Sequence, residues 1–318
     1  MAATATLDDV TTAGRRGDTA ERRRHRRRHV GPVDVVIGVA VVVLLIVTLF
    51  PFYWSLRTAF STNAKLPSGS RSFWPAGFTW SGFERALGLS STEEAVAAGG
   101  SGADINFLLA LRNSFIVSTM VTIGQVVCCG MAAYAFARLQ FPGRNKLFFV
   151  VLTALMIPPI FTTLPNFIFV KDMGWLNTHL GIAAPTLLMT PFAIFFLRQF
   201  FLGIPREVEE AAIIDGAGRF RIFFRVIMPM AASPVATLAL LTFVEQWNSY
   251  LWPKLVGQDE SVRVITASLG FFQSQTPQGT PDWAGLMAAT WVSMVPIIIL
   301  MLLTGKRLVN HIQFSGIK

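Results

Sequence analysis

The chain has 318 residues, of which 53% are hydrophobic and only 14% are charged, and its mean hydropathy is +0.52. This composition excludes an ordinary soluble domain and predicts a membrane protein. The net charge of +9 would suit a nucleic-acid partner if the basic residues lay on a soluble domain, but they are confined to an amino-terminal tail and short loops.

The first 30 residues form a polar tail with a basic run at 22–29. Because such a block repels itself, we predict that residues 1–30 are disordered and precede a membrane domain at 31–318. A basic cluster before a first span holds that end in the cytoplasm, and nucleic acid and anionic lipid are alternative partners for it. The apolar run that follows is too long for a signal peptide and lacks a cleavage site, so we interpret it as a retained span.

Apolar runs near the length of about 20 residues that crosses a bilayer predict the membrane spans. The six candidate spans are 33–56, 113–137, 147–170, 178–201, 228–251 and 283–304. With the tail inside, 19 Lys and Arg residues fall on the inner side and 8 on the outer side. This asymmetry predicts that both termini are cytoplasmic.

The segment between the first two spans, residues 60–111, is predicted to be an external loop. Aromatic residues in its first half, among them Trp74 and Trp80, favour a position at the membrane interface. Residues 90–104 are rich in Gly, Ala and Ser, which predicts a flexible insertion with little regular structure.

The second span ends in small residues followed by a Pro-Gly turn, Pro142-Gly143, flanked by arginines. Small residues allow close helix packing, and the turn predicts a corner at the inner interface. Cys128 and Cys129 are adjacent within this span, which excludes a disulfide framework or a zinc site with ordinary ligand spacing. Both are interpreted as packing residues.

The third and fourth spans contain several prolines, namely Pro158, Pro159, Pro165, Pro185 and Pro191. A proline in a span frees backbone carbonyls, which persist only against protein or a water-filled cavity. Two interpretations stay open here: these helices line a cavity, or the prolines only kink them for packing.

A charged loop at 203–227 lies between the fourth and fifth spans. Acids occupy its first turns and arginines its far end, which suits the dipole of a short helix, while Gly216 and Gly218 predict a bend. Ala211 and Ala212 form a shallow face suited to a large side chain of a partner. The alternative is a helix lying on lipid, but its clustered acids would be repelled by anionic headgroups.

The fifth span ends in a polar and aromatic stretch. Glu245 beside Gln246 and Asn248 is costly in a bilayer unless it faces a cavity or a partner, so a solute pathway is predicted. Trp247 and Tyr250 add aromatic faces that can stack on sugar rings. An aromatic belt at the outer interface is the alternative interpretation, and the loop at 257–281 is predicted to be external.

Three stretches resemble the permease subunits of ABC importers for carbohydrates. Glu210-Ala211-Ala212, three residues, Gly216, nine residues and then Val226-x-Met228-Pro229 is similar to their EAA motif, with Val and Met in place of Ile and Leu. Residues 132–144 are similar to their AYAxARxxFPGR stretch, and residues 247–253 to their WNxFLWP element.

The resemblance implies an all-α, type I importer permease fold with six transmembrane helices and a cytoplasmic coupling helix. It implies that the charged loop docks onto an ATP-binding subunit. The residues implied for this coupling are Glu207, Glu210, Ala211, Ala212, Asp215, Gly216 and Pro229. It also implies a second homologous permease subunit, two copies of the ATP-binding subunit and an external solute-binding protein.

No P-loop, metal-ligand cluster or nucleophile motif is present in the sequence, so no enzyme activity is predicted and ATP and Mg would be bound by partner subunits. The resemblance favours a carbohydrate, polyol or glycerol-phosphate solute. The alternatives are a permease for a non-sugar solute, a carrier driven by an ion gradient, and a membrane anchor whose basic tail binds lipid or nucleic acid.

Overall fold

The computed structural model describes residues 32–67, 72–97, 106–274 and 281–312. Every regular element in these ranges is helical, apart from an isolated antiparallel bridge between Ser61 and Phe78. The prediction of an all-α fold is therefore confirmed. The predictions for the tail at 1–30, for residues 98–105 of the Gly- and Ser-rich segment and for the carboxyl terminus lie outside the described residues.

The chain divides into two compact units, the first ending at Tyr53 and the second beginning at Trp54. The described part of the first unit, residues 32–53, lies in helix α1 (Pro32–Ala59). The second unit contains the end of α1 and the helices α2 (Ser81–Ala86), α3 (Thr92–Ala97), α4 (Phe107–Arg138), α5 (Arg144–Ala154), α6 (Pro159–Asp172), α7 (His179–Leu187), α8 (Pro191–Leu202), α9 (Arg206–Ile214), α10 (Arg219–Ile222), α11 (Met228–Met230), α12 (Ala232–Trp247), α13 (Leu251–Val256), α14 (Ile265–Ser274) and α15 (Trp283–Ile312).

Three helices are long and apolar enough to cross a membrane alone: α1, α4 and the Trp283–Thr304 part of α15. Three further candidates are helix pairs bent at a short break: α5 with α6 by 100°, α7 with α8 by 49°, and Arg219–Met230 with α12 by 84°. By length and composition the described residues therefore hold three to six spans. The six-span arrangement stays a prediction.

The breaks differ from the continuous spans predicted at 147–170, 178–201 and 228–251. Pro159 and Pro191 stand in the first turn of α6 and α8, where the missing backbone N–H leaves no hydrogen bond unmade. The third break falls at Ala231, after the π-helical turn Phe223–Ile227 and Pro229 in α11. Pro159 and Pro191 therefore begin new helical segments, while Pro165 and Pro185 lie inside α6 and α7.

Helix α4 is the centre of the second unit and packs against α7, α8 and α12. A Cβ on Gly124 would lie 2.3 Å from the carbonyl oxygen of Leu187, so α4 and α7 touch backbone to backbone there. Helix α4 begins at Phe107, and the side chain of Asn106 caps it by accepting a hydrogen bond from the backbone N–H of Leu109. Residues 107–111, predicted to lie in the external loop, are therefore helical.

The residues after α1 form a packed layer at the Phe107 end of α4. Helix α2 lies so close to α15 that a Cβ on Gly82 would meet the backbone oxygens of Ala59 and Ala284 at 2.7 and 3.0 Å. Beside this contact, Arg85 and Asp282 form a buried salt bridge of 3.0 Å. Helix α3 lies in the segment expected to have little regular structure.

The loop predicted at 257–281 contains helix α14 and is tied to α4 at the same end. Asn113, fully buried, donates from Nδ2 to the carbonyl oxygens of Ser261 and Arg263, and its Oδ1 lies 3.0 Å from Nε2 of His179. The hydroxyl of Ser114 accepts the backbone N–H of Ile265 at 2.8 Å. These contacts satisfy backbone groups that would otherwise be buried without partners.

Candidate functional site

The charged loop forms a helix, a tight turn and a second helix at the Arg138 end of α4. Gly216 has φ +79, the backbone N–H of Gly216 donates to Ile213, and that of Ala217 donates to Ala212, both at 2.9 Å. This pair of bonds is the Schellman arrangement that ends an α-helix at a left-handed residue. The bend predicted from the glycines lies at Gly216, and Gly218 precedes α10 with an extended backbone.

Glu209 is the acid that attaches α9 to the rest of the unit. Its side chain is buried, and its Oε1 accepts hydrogen bonds from the hydroxyl of Tyr134 at 2.8 Å and from Nη1 of Arg219 at 3.0 Å. Its Oε2 lies 3.9 Å from Nε of Arg138. We call Tyr134, Arg138, Glu209 and Arg219 the Glu209 junction.

Arg138 connects the Glu209 junction to the end of α8. Its Nη2 donates to the carbonyl oxygens of Phe201 and Ile204, while its Nε is buried without a hydrogen-bond partner. The carbonyls at the end of a helix have no partner within the helix, and Arg138 supplies one here. One side chain of α4 thus contacts both the end of α8 and the carboxylate that anchors α9.

Six of the seven residues predicted to couple to an ATP-binding subunit are exposed. Glu207, Glu210, Ala211, Asp215 and Gly216 are exposed. The remaining two are Ala212, half-buried against the core at the Arg138 end, and Pro229, exposed in α11.

Two large apolar side chains accompany the exposed acids. Ile214 is 86% exposed at the end of α9, and Phe220 is 73% exposed in α10. We call Glu207, Glu210, Ala211, Ile214 and Phe220 the α9 surface. Exposed apolar side chains among charges are typical of a surface that binds another protein or a membrane.

The residues predicted to line a solute pathway are only partly brought together. Glu245 and Asn248, three residues apart in sequence, are exposed, and Tyr250 is 40% exposed. Gln246 is half-buried. Trp247 is buried, stacks on Phe243 and donates from Nε1 to the backbone oxygen of Ser293, so it packs α12 against α15.

Polar side chains of α4 bridge the break between α7 and α8. Gln125 donates from Nε2 to the backbone oxygen of Thr186 at 2.8 Å and accepts the hydroxyls of Thr190 and Thr242 at 3.2 Å. The sulfur of Cys129 accepts the backbone N–H of Thr190 at 3.3 Å. These bonds replace helix hydrogen bonds lost at the break, as the apolar core of a membrane requires. Among the described residues, no group of three His, Cys, Asp or Glu side chains is placed to hold a metal ion.

Residues 126–313 match the family of binding-protein-dependent transport system inner membrane components. The match includes the Glu209 junction, the α9 surface and the polar end of α12. It covers more than half of the chain, and the chain belongs to this family.

Curated relatives match nearly the whole chain. The sn-glycerol-3-phosphate transport system permease protein UgpE of Brucella abortus (strain 2308) is 30% identical over 273 residues, which are 86% of this chain and 93% of the relative. UgpE of Yersinia pestis bv. Antiqua (strain Antiqua) is 29% identical over 284 residues, which are 89% of this chain and 97% of the relative. The trehalose/maltose transport system permease protein MalG of Thermococcus litoralis is 28% identical over 285 residues, which are 89% of this chain and 96% of the relative.

A chain from the crystal structure of a bacterial ABC transporter involved in the import of the acidic polysaccharide alginate has a similar fold. The TM-score is 0.70 with 22% sequence identity, and the match covers 87% of this chain and 98% of that chain. Together with the family match, these findings confirm the predicted identity as a transmembrane permease subunit of an ABC importer. The family is that of the membrane component and not of a hydrolase, which confirms the prediction that this chain is not the enzyme of the system.

Proposed function

We propose that this chain forms half of the solute pathway of an ATP-driven importer and that the α9 surface is held by the ATP-binding subunit. The observation that carries this proposal is the two-sided placement of α9. Glu209 fixes one face of the helix to α4, while Glu207 and Glu210 leave another face open to a partner. A helix fixed on one side and exposed on the other is suited to transmit a partner's displacement to the spans.

The Arg138 end of α4 would face the cytoplasm, with both chain termini on that side. The support is the excess of Lys and Arg on this side of the predicted spans, including Arg206, Arg221 and Arg225 around the α9 surface. The opposite end, where α2, α14 and the start of α15 pack, would then meet the external solute-binding protein. The α9 surface would lie in the compartment that contains ATP.

The working cycle requires partners of four kinds. They are a second homologous permease, two copies of the ATP-binding subunit, the solute-binding protein and the lipid bilayer. ATP binding would close the ATP-binding subunits and move α9 with them. The spans would then rock from an inward-open to an outward-open arrangement and receive solute from the binding protein.

We assign the solute to the carbohydrates and related polyol or glycerol-phosphate compounds. The names of the curated relatives describe permeases for sn-glycerol 3-phosphate and for trehalose and maltose. Within this chain, Glu245, Asn248 and Tyr250 give the end of α12 an exposed polar face. A charged side chain on a span is stable only against water or a partner, which favours a place beside the pathway.

Two alternatives differ in what they predict. A carrier driven by an ion gradient does not fit the family. Solute uptake that persists when the ATP-binding subunit cannot hydrolyse ATP would support this alternative. An importer for a non-sugar solute keeps the same coupling surface. Measuring which compounds the cognate solute-binding protein binds distinguishes it from a sugar importer.

The coupling role is tested by Glu210→Lys in the complete transporter reconstituted in liposomes. Reversing this exposed charge should weaken binding of the ATP-binding subunit and lower ATP-dependent uptake by about tenfold or more. A partner surface that complements an acid would then face a like charge, which costs several kcal/mol. Insertion of the chain into the membrane should be unchanged. The matched control is Glu84→Lys, an exposed acid of α2 at the opposite end of α4.

Glu84→Lys should leave binding of the ATP-binding subunit unchanged. Equal binding by the Glu210→Lys and wild-type chains would remove the docking role from the α9 surface. Family membership would stand in that case.

A further inference from the structure

We propose that the Glu209 junction makes α4, the end of α8, α9 and α10 a single mechanical unit, in which the Glu209 carboxylate positions α9 for coupling. This inference rests on the proposed function of α9 as the surface for the ATP-binding subunit. It also identifies Glu209 as the residue that transmits the displacement of α9 to the membrane spans. Glu209 is thereby distinguished from Glu207 and Glu210, which face the partner.

The placement of Glu209 is the first support for this role. It is 7% exposed, whereas its neighbour Glu210 and the nearby Glu207 are both exposed. A carboxylate leaves water only when charged or polar partners compensate it, and here a tyrosine and two arginines surround it. Arg219 is itself about half exposed, so the network reaches from the buried face of α4 to the surface of α10.

The connectivity of the Glu209 junction is the second support. Tyr134 and Arg138 are four residues apart on α4 and therefore lie on one face of that helix. Glu209 contacts both of them and Arg219, and Arg138 donates to the backbone at the end of α8. A push on α9 therefore reaches α4 through the hydrogen bond from Tyr134 and the ionic contact with Arg138, and reaches the end of α8 through the hydrogen bonds that Arg138 donates there.

The third support is that α9 itself has few other contacts that could hold it to α4. The buried residues of α9 consist of Glu209 alone, and its apolar side chains Ile213 and Ile214 are exposed. From α9 and the turn after it, Ala212 and Ala217 pack against the core at the Arg138 end of α4, while the larger Ile204, Ile222 and Phe223 pack there from either side of α9. Apolar burial is proportional to area and is small for alanine, so within α9 itself the Glu209 junction is the main side-chain attachment to α4.

The Glu209 junction also contains a donor that α9 can still engage. Nε of Arg138 is buried without a hydrogen-bond partner and lies 3.9 Å from Oε2 of Glu209. A shift of α9 towards α4 by about 1 Å would bring these two atoms to hydrogen-bond distance. Pressure from the cytoplasmic partner would then strengthen the attachment instead of loosening it.

The first experiment uses the full chain in lipid nanodiscs without partners. Hydrogen exchange of the α9 amides should become about tenfold faster or more in Glu209→Gln than in wild type, because neutralising the carboxylate removes the charge of a buried network. Exchange in the middle of α4 should not change. Glu207→Gln is the matched substitution on the exposed face of the same helix and should speed α9 exchange by at most a few-fold, since only its interaction with the helix dipole is lost.

The second experiment uses the reconstituted transporter and counts solute molecules imported per ATP hydrolysed. Arg219→Gln, which removes one partner of Glu209 without creating a buried void, should lower this ratio while the complex still assembles and hydrolyses ATP. Arg221→Gln, an exposed arginine on the same short helix, is the control and should keep the wild-type ratio. Tyr134→Phe should lower it less, since only one hydroxyl is lost.

Both experiments test whether the Glu209 junction positions α9 for coupling. Unchanged α9 exchange in Glu209→Gln, or an unchanged import ratio in Arg219→Gln, would overturn the proposal. The nanodisc measurement contains no ATP-binding subunit, so its result does not depend on whether α9 docks there. A faster exchange in Glu209→Gln together with normal docking of Glu210→Lys would keep the junction and reject the proposed coupling surface.

Discussion

Single residues of the charged loop have separable tasks that their sequence neighbours do not share. Gly216 supplies a left-handed backbone that other residues adopt only at a cost of roughly 1–2 kcal/mol. Glu209 supplies a buried carboxylate, and Glu210 an exposed one. The sequence predicts the bend at Gly216, because glycine is the usual residue at positive φ.

The sequence does not reveal which acid of this loop is buried. Glu207, Glu209 and Glu210 carry the same side chain, and only the helix face distinguishes them. Spacing does not separate them either, since Glu209 shares a helix face with Ala212 just as Glu207 shares one with Ala211. The partners Tyr134 and Arg138 are more than 70 residues earlier in the chain, so no local pattern pairs them with Glu209.

Gly216→Asp is expected to uncouple ATP hydrolysis from transport, because it adds both backbone strain and a charge to the turn beside the α9 surface. Gly174→Asp is the matched control: Gly174 also has positive φ, and an added Cβ would meet nothing within 4 Å at either position. The measurement is the amount of solute imported per ATP hydrolysed in liposomes. Equal ratios for the two variants would show that a charge at Gly216 has no special effect.

At the scale of helices, the breaks in the predicted spans are the feature that the sequence predicted least well. Apolar runs located the segments, since about 20 residues are needed to cross the bilayer. The prolines indicated that helices would be interrupted, but not that α5 and α6 would turn by 100°. The angle depends on what packs against each half, and at the α7–α8 break that packing comes from Gln125 on α4.

Gly124→Ala is expected to lower the free energy of unfolding by about 1–3 kcal/mol, the usual effect of overpacking. The added methyl group would collide with the backbone of α7 at Leu187 and force α4 and α7 apart. Thermal unfolding of the purified chain in detergent measures this change. Gly38→Ala is the control, because an added Cβ there meets nothing within 4 Å, and a mid-helix alanine is favoured over glycine by roughly 0.5–1 kcal/mol. Equal stability of Gly124→Ala and wild type would contradict the close contact.

At the scale of the molecule, the second unit has a different kind of contact at each end of α4. The Phe107 end is closed by packed helices and a buried salt bridge between Arg85 and Asp282. The Arg138 end carries the charged loop on the Glu209 junction. Composition and three short motifs were enough to predict the class of protein and its helical fold. The layer formed by α2 and α14 was not predicted, because its residues were expected to lie in external loops.

The α9 surface is the proposed site at which the ATP-binding subunit holds this permease. The most direct test replaces Ile214, the most exposed large side chain of α9, with a photo-crosslinking benzoylphenylalanine and illuminates the assembled transporter in membranes. Covalent attachment to the ATP-binding subunit, with a yield that changes when nucleotide is added, is the predicted result. Attachment only to the external solute-binding protein, or to no partner, would contradict it.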